Sequence, residues 1–461
     1  MQASSPNHAS DTTATLTRFI AQCRWEDVPQ HVRHEAKRSL MNFFAVALAP
    51  AQDRTLDIAL RTYGRFSANE RATVIGRSAR VDPLTAAALN AMAANVYDFD
   101  DTHHPTIIHP TAPVAPALFA LAEQQPMDGS ALLLAFILGV ETECRVGNAM
   151  SPEHYARGWH ITSTCGVFGS AMAAGKHLGL DAQALTWAMA TAAVQAGGLV
   201  ETLGTMAKSV SVGNAARNGL LAALLAADGF DGPPQALEGE RGYLRVAADR
   251  PDIAPLAQDL GSRWELMNNT YKPYPCGVVL NPVIEACLNL ARHPQLIRLG
   301  AAAIERITLI GHPLLRQRTD RPGIQTGRQS QVSAQHAVPV ALVRGEAGLT
   351  AFSDEAVQDP ILRALGARVR FEDDASYSVD AVEVQVQFAG GDLLVEHIDA
   401  ARGSLAQPLT DADLEAKLRT LCLHGRSGVD ADQLIEAVWQ LDTTDDAASV
   451  IRLAGAPEAR T

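Results

Sequence analysis

The feature that most constrains this fold is a change of hydrophobic period part-way along the chain. Up to about residue 250 the apolar positions recur at helical spacing. Val32, Ala36, Leu40, Phe43 and Ala47 share one face of a helix predicted over 32–48. The stretches 84–96, 116–123, 131–143, 166–178, 182–196 and 214–227 read the same way and are rich in Ala and Gly. Small side chains let helix backbones approach closely, so this half predicts a compact helical bundle. After Pro273 the period drops to two: Val382, Val384, Val386 and Phe388 alternate, Gly390-Gly391 marks a turn, and 393–398 completes a hairpin. A third strand is predicted over 304–310, with helices over 282–291, 334–343 and 359–365. Helical spacing returns at 410–423, where Thr410 and Asp411 are N-cap candidates, and at 431–441.

A chain of 461 residues exceeds what one apolar core ordinarily serves. The fold expected is therefore mainly α. Residues 1–12 form a disordered tail, 13–267 and 406–461 a large helical domain, and 268–405 a smaller α+β domain. The net charge of −13 disfavours nucleic acid and anionic membrane as partners. It leaves room for a locally positive pocket and an anionic ligand. The six cysteines are scattered without a CxxC pair, as expected of reduced thiols in the cytoplasm. The N-terminal segment lacks an apolar signal core, and the apolar run 131–140 is too short for a membrane span.

The densest polar cluster is Asp98-Phe99-Asp100-Asp101-Thr102-His103-His104, followed by His109-Pro110. Imidazoles and carboxylates so close together suit acid/base chemistry near neutral pH. They equally suit a His/Asp metal site, or a loop whose Asp and Thr side chains cap helix ends. His160 lies in Gly158-Trp159-His160-Ile161-Thr162, ahead of Gly166 and Gly169. A single such histidine is more often structural than catalytic. The chain has only five lysines, at 37, 176, 208, 272 and 417. Lys208 follows Gly204-Thr205-Met206-Ala207, and Lys272 opens Lys272-Pro273-Tyr274-Pro275-Cys276 at the predicted domain junction. Either can hold a carboxylate, or be an ordinary solvated charge. Cys276 reads as a buried small residue. No phosphate-binding loop or dinucleotide fingerprint is present.

Taken in order, these segments resemble the MmgE/PrpD family, which includes 2-methylcitrate dehydratase, cis-aconitate decarboxylase and iminodisuccinate epimerase. The anchors are Asp98–Thr102 with His109-Pro110, Gly158–Thr162 with Gly166 and Gly169, Gly204–Lys208 with Gly213, and Lys272–Cys276. The resemblance implies a helical domain built from both chain ends with the α+β part inserted as a lid. It also implies a homodimer and a site between the domains that needs no metal or organic cofactor. Asp98, His109, His160 and Lys208 are then the catalytic candidates, and Thr102, His103, Lys272 and Tyr274 bind substrate. The reaction implied is that of a lyase on a small di- or tricarboxylic acid, dehydratase-like, by proton transfer beside a carboxylate. Epimerisation and decarboxylation share that chemistry, and a metal-dependent phosphohydrolase is the rival from another class. The chain departs from the family pattern in three places: an additional residue near Ile107-Ile108, Asn281 where relatives carry His, and His336 where they carry Tyr.

Overall fold

The computed structural model describes residues 11–457. Residues 1–10 of the predicted tail lie outside it. Thr12 does not belong to a tail, because it opens the helix Thr12–Gln22, in which Thr13 is buried and hydrogen bonds to the Glu238 carboxylate through its amide at 2.9 Å. The chain is mainly helical, and no described helix is long and apolar enough to cross a membrane.

Among the described residues the buried apolar side chains fall into two cores. The larger runs from Leu16 to Tyr271 and takes in Leu409 to Ala454. The smaller spans Cys276 to Ala401. The crossing therefore lies between Tyr271 and Cys276, a few residues beyond the predicted 268. A short antiparallel ladder explains the difference: Asn269–Tyr271 pairs with Asp101–His103, tying that strand to the first core.

The large core is built around glycine contacts. Helices Ile161–His177 and Ala207–Ala227 meet at Gly219, where an added Cβ would stand 2.4 Å from Ser170 Cβ and 2.6 Å from the Val167 carbonyl oxygen. Gly139, on Gly129–Asn148, lies equally close to the Gly169 carbonyl oxygen and Ala173. The smaller core packs helices Asn281–Ala291 and Ala334–Arg344 against a four-stranded sheet. Its order is Val369–Asp373, Ile304–Gly311, Val382–Phe388, Leu393–Ile398, the first pair parallel and the others antiparallel. The strand Val369–Asp373 escapes the sequence reading because its Val-Arg-Phe-Glu-Asp alternation is short and mostly exposed. The returning helix Asp411–Gly425 opens with a capping box between Thr410 and Asp413, as Thr410 suggested.

Several helices begin earlier than their hydrophobic period implies. Thr111–Ala122 starts ahead of Pro116, Ile161–His177 ahead of Gly166, and Ala207–Ala227 ahead of Asn214. Pro and Gly read as helix boundaries in a sequence, yet here they sit within helices buried on nearly every side.

Gly219→Ala should shift the urea unfolding midpoint to an equivalent of about 1–3 kcal/mol less stability, the cost of forcing volume into a filled interface. Gly390→Ala, whose Cβ would meet nothing within 4 Å, serves as the control and should leave the midpoint unmoved. Equal midpoints for both variants would contradict the packing described.

Candidate active site

The early helix starts matter because they bring three candidate residues to helix N-termini. His109 stands two residues before Thr111–Ala122, His160 is the N-cap of Ile161–His177, and Lys208 is the second residue of Ala207–Ala227. Each N-terminus presents unpaired amide N–H groups and a partial positive charge. All three meet beside one carboxylate, Asp98, whose φ of 51° is a left-handed conformation that few non-glycine residues adopt.

Asp98 is held by two ammonium groups. Lys208 Nζ donates to Oδ1. Lys272 Nζ lies 3.4 Å from Oδ2 and donates to the Asp98 carbonyl oxygen at 2.9 Å. Burial raises the Asp98 pKa, but Lys208 and Lys272 outweigh it and hold the carboxyl well below its usual range. Burial likewise opposes the Lys208 charge, and Asp98 and Asp100 restore it, leaving that pKa raised.

Both histidines present an imidazole of defined tautomer. His109 Nδ1 lies 2.7 Å from the Asp101 carbonyl oxygen, which only accepts, so Nδ1 carries the proton. Nε2 is left with its lone pair, 3.9 Å from Asp98 Oδ1. His160 Nδ1 lies 3.2 Å from Ser163 Oγ and 3.4 Å from Ser211 Oγ. Those hydroxyls donate to the carbonyl oxygens of His160 and Lys208, at 2.9 and 2.8 Å. They therefore face the imidazole as acceptors, and Nε2 is again the bare nitrogen. Burial, then Lys208 and His109, push the His160 pKa down to about 3. Burial also lowers that of His109, with Asp100 opposing and Lys272 assisting.

Not every predicted residue joins this group. His103 is fully buried, with Nδ1 2.7 Å from Thr106 Oγ1 and Nε2 3.2 Å from the Glu265 carboxylate, so neither nitrogen is free for a ligand. It is a structural histidine. Thr102 is also buried; its Oγ1 lies 3.3 Å from His109 Nδ1, and its carbonyl accepts from Thr270. It braces His109 rather than facing a ligand. Tyr274 packs against the smaller core, and its charged neighbours are Glu285 and Arg402, with burial raising its pKa to about 12. Asn281 Oδ1 accepts from the Cys276 thiol at 3.7 Å, and His336 Nε2 donates to the Ala351 carbonyl oxygen at 2.7 Å.

Sequence reasoning missed Lys417. Its ammonium donates to Asn42 Oδ1, the Phe99 carbonyl and the Lys272 carbonyl, at 2.8, 2.9 and 2.9 Å. It thereby ties together the segments that carry Asp98 and Lys272. The available signal was scarcity: in a chain that otherwise uses Arg, Lys208, Lys272 and Lys417 are all buried. Asp100 lay in the marked polar cluster without being singled out, and Ser163 and Ser211 were passed over, with nothing in the serines' spacing to mark them.

The donors of Asp98, Asp100 and His109 lie within 4.8 Å of one another, a set that could hold a metal ion. Lys208 and Lys272 already occupy the two Asp98 oxygens, and Lys272 Nζ lies 3.9 Å from Asp100 Oδ1. A divalent ion there would face two ammonium charges.

The cluster opens on a cleft between the two cores. Val96, Asp98, Leu203, Gly204, Thr205 and Lys208 line one side, and Arg328, Gln331 and Val332 the other. Its free volume is about 20 Å³, space for one water molecule. The seam is fastened by Arg328 to both Asp53 oxygens (2.8 and 3.0 Å) and by Gln331 Nε2 to the Tyr97 carbonyl at 2.9 Å.

The sequence has counterparts. The model of the MmgE/PrpD N-terminal domain matches residues 14–256, and that of the C-terminal domain matches 274–443. The chain belongs to the MmgE/PrpD family. Curated relatives include a cis-aconitate decarboxylase of Homo sapiens, 28% identical over 92% of this chain and 91% of its own length. One of Mus musculus is 29% identical over 85% and 83%. One of Aspergillus terreus is 27% identical over 99% and 98%.

The His160 shift sets a pH dependence. Between about pH 6.5 and 3 the unfolded chain protonates this imidazole and the folded chain does not, so stability falls as pH falls. His160→Asn removes that proton, and its stability should fall less steeply below pH 6.5, by up to about 1.4 kcal/mol per pH unit. Urea midpoints measured from pH 7 to pH 5 check this; parallel curves for the two proteins would mean that His160 is not buried as described.

Proposed function

We propose that this MmgE/PrpD enzyme is a lyase for a tricarboxylic acid, working by proton transfer at the carbon beside a carboxylate. The observation that carries the reading is the convergence of two imidazoles with bare Nε2 atoms and two buried ammonium groups around Asp98. Loss of CO₂ or of water from such an acid passes through a carbanion or enediolate. That intermediate needs a base or acid at carbon and positive charge at the carboxylate oxygens. His109 and His160 supply the first, and Lys208 and Lys272 the second. The relatives' activity makes cis-aconitate decarboxylation the first reaction to test, with dehydration of a methylcitrate-like acid next. Two imidazoles can also serve opposite faces of one carbon, which supports epimerisation as the second reading.

In this reading the α+β part, whose core spans Cys276 to Ala401, acts as a lid on the helical domain, whose core runs from Leu16 to Tyr271 and takes in Leu409 to Ala454. The seam at Arg328 and Gln331 parts, in this reading, to admit the substrate. The enzyme works as a cytoplasmic homodimer without metal or organic cofactor, its reaction needing only charge and protons that its side chains provide.

The test is incubation of cis-aconitate, citrate and methylcitrate in deuterium oxide, with and without a chelator. Expected are loss of CO₂ or water, deuterium at the carbon beside a carboxylate, and indifference to chelation. His160→Ala and Lys208→Ala should each slow turnover by about 10²–10⁴-fold. A folded enzyme giving neither product nor exchange with any of these acids would sink the reading. Activity that tracks a bound metal would favour a phosphohydrolase instead.

A further inference from the structure

We propose that Arg318, reaching across the seam onto Tyr155, binds the substrate carboxylate remote from the reacting carbon and so sets the preference for three carboxylates over two. This rests on the reading above, because it supplies a receptor for a group that only a polycarboxylate carries.

Arg318 lies on the helix Pro313–Thr319 of the smaller core, whose residue Leu315 is buried there. Its guanidinium carbon stands 5.0 Å from the centre of the Tyr155 ring. Tyr155 packs on the large core, on the one-turn helix Glu153–Ala156 that leads into His160. The pair therefore spans the two cores beside the segment that runs into His160. Tyr155 also lies within the electrostatic reach of Asp98 and Lys208. Arg318 itself makes no ion pair within that cluster.

Among the described residues the Arg318 guanidinium has no acceptor, unlike two arginines near it in the chain. Arg316, two residues earlier, is held by both oxygens of Asp373. Arg328 is committed to Asp53. Among the described residues, no carboxylate, carbonyl or hydroxyl accepts a hydrogen bond from the Arg318 side chain. Arg321, whose Nε donates to the Arg318 carbonyl oxygen, adds a second positive charge felt at Tyr155. A planar fork of donors, set over a ring and left without an acceptor, can receive a carboxylate in two parallel hydrogen bonds. The stacking holds the fork in place, which lowers the ordering cost when the ligand arrives. Lys208 and Lys272 then serve the carboxylate at the reacting carbon, and Arg318 the far one. Because Arg318 belongs to the lid side, binding the far carboxylate also draws the two halves together.

The experiment measures binding of two unreactive probes, tricarballylate and succinate, by calorimetry at fixed ionic strength. The proteins are wild type, Arg318→Gln and Arg318→Lys. For Arg318→Gln the Kd for tricarballylate should rise about tenfold to a hundredfold, the loss of charge-assisted hydrogen bonds. The Kd for succinate should stay within about threefold of wild type. Arg318→Lys, which keeps charge and loses the fork, should fall between for tricarballylate, and gives a reading even where the glutamine variant folds poorly. Unchanged tricarballylate binding in both variants overturns the inference, while wild-type turnover in deuterium oxide judges the reaction separately. An equal loss for both probes marks Arg318 as a brace of the seam and also overturns it. A wild-type protein that binds neither probe removes the proposed function and this inference together.

Discussion

The fold of the site depends on the Asp98 carboxylate lying between Lys208 and Lys272. Each of the three is costly to bury alone, and removing one partner of such a group strands the others in a medium that solvates them poorly. The carboxylate holds the helix Ala207–Ala227 and the crossing segment at Lys272 in register. It is itself held in a left-handed backbone conformation. Lys417 completes the arrangement from the returning C-terminal helix, clamping the carbonyls of Phe99 and Lys272. The chain end thus has to come back to the large core for the site to exist. That is a physical reason for interrupting the helical part with the α+β part.

The sequence made the architecture legible where periodicity was strong. The hairpin of Val382–Phe388 and Leu393–Ile398 and the Thr410 cap could be read directly, because alternation and capping chemistry are local. Helix starts were not legible. In Thr111–Ala122, Ile161–His177 and Ala207–Ala227 the first turns contain Pro, Gly, Ser and Thr, which ordinarily mark loops. Tertiary burial overrides that preference, since these turns are packed among other helices. The error mattered because it hid a common cause for His109, His160 and Lys208, each of which sits at a helix N-terminus.

Site composition was legible only in part, and the misplaced residues share an explanation. His103 alternates with Thr102 along a strand that sequence read as a loop. Once that strand pairs with Asn269–Tyr271, His103 turns toward Glu265 and away from Asp98. Tyr274 lies beyond the crossing and goes with the smaller core. Neither outcome follows from the residue types. Both follow from a ladder between segments more than 160 residues apart, and nothing local announces it.

The electrostatics of the closed site bear on how its protons would move. Both histidines are held neutral, and Lys208 contributes to that for His160 while Lys272 contributes for His109. The two charges proposed to bind substrate are therefore the same two that keep the bases unprotonated. A substrate carboxylate docking on those lysines adds negative charge beside each imidazole and raises both pKa values toward neutrality. The site then becomes able to accept a proton only when the acid is in place. Without the acid, Asp98 and Asp100 balance the lysines, and the imidazoles stay bare. In the proposed reaction, binding and proton transfer would thus be coupled through the lysines.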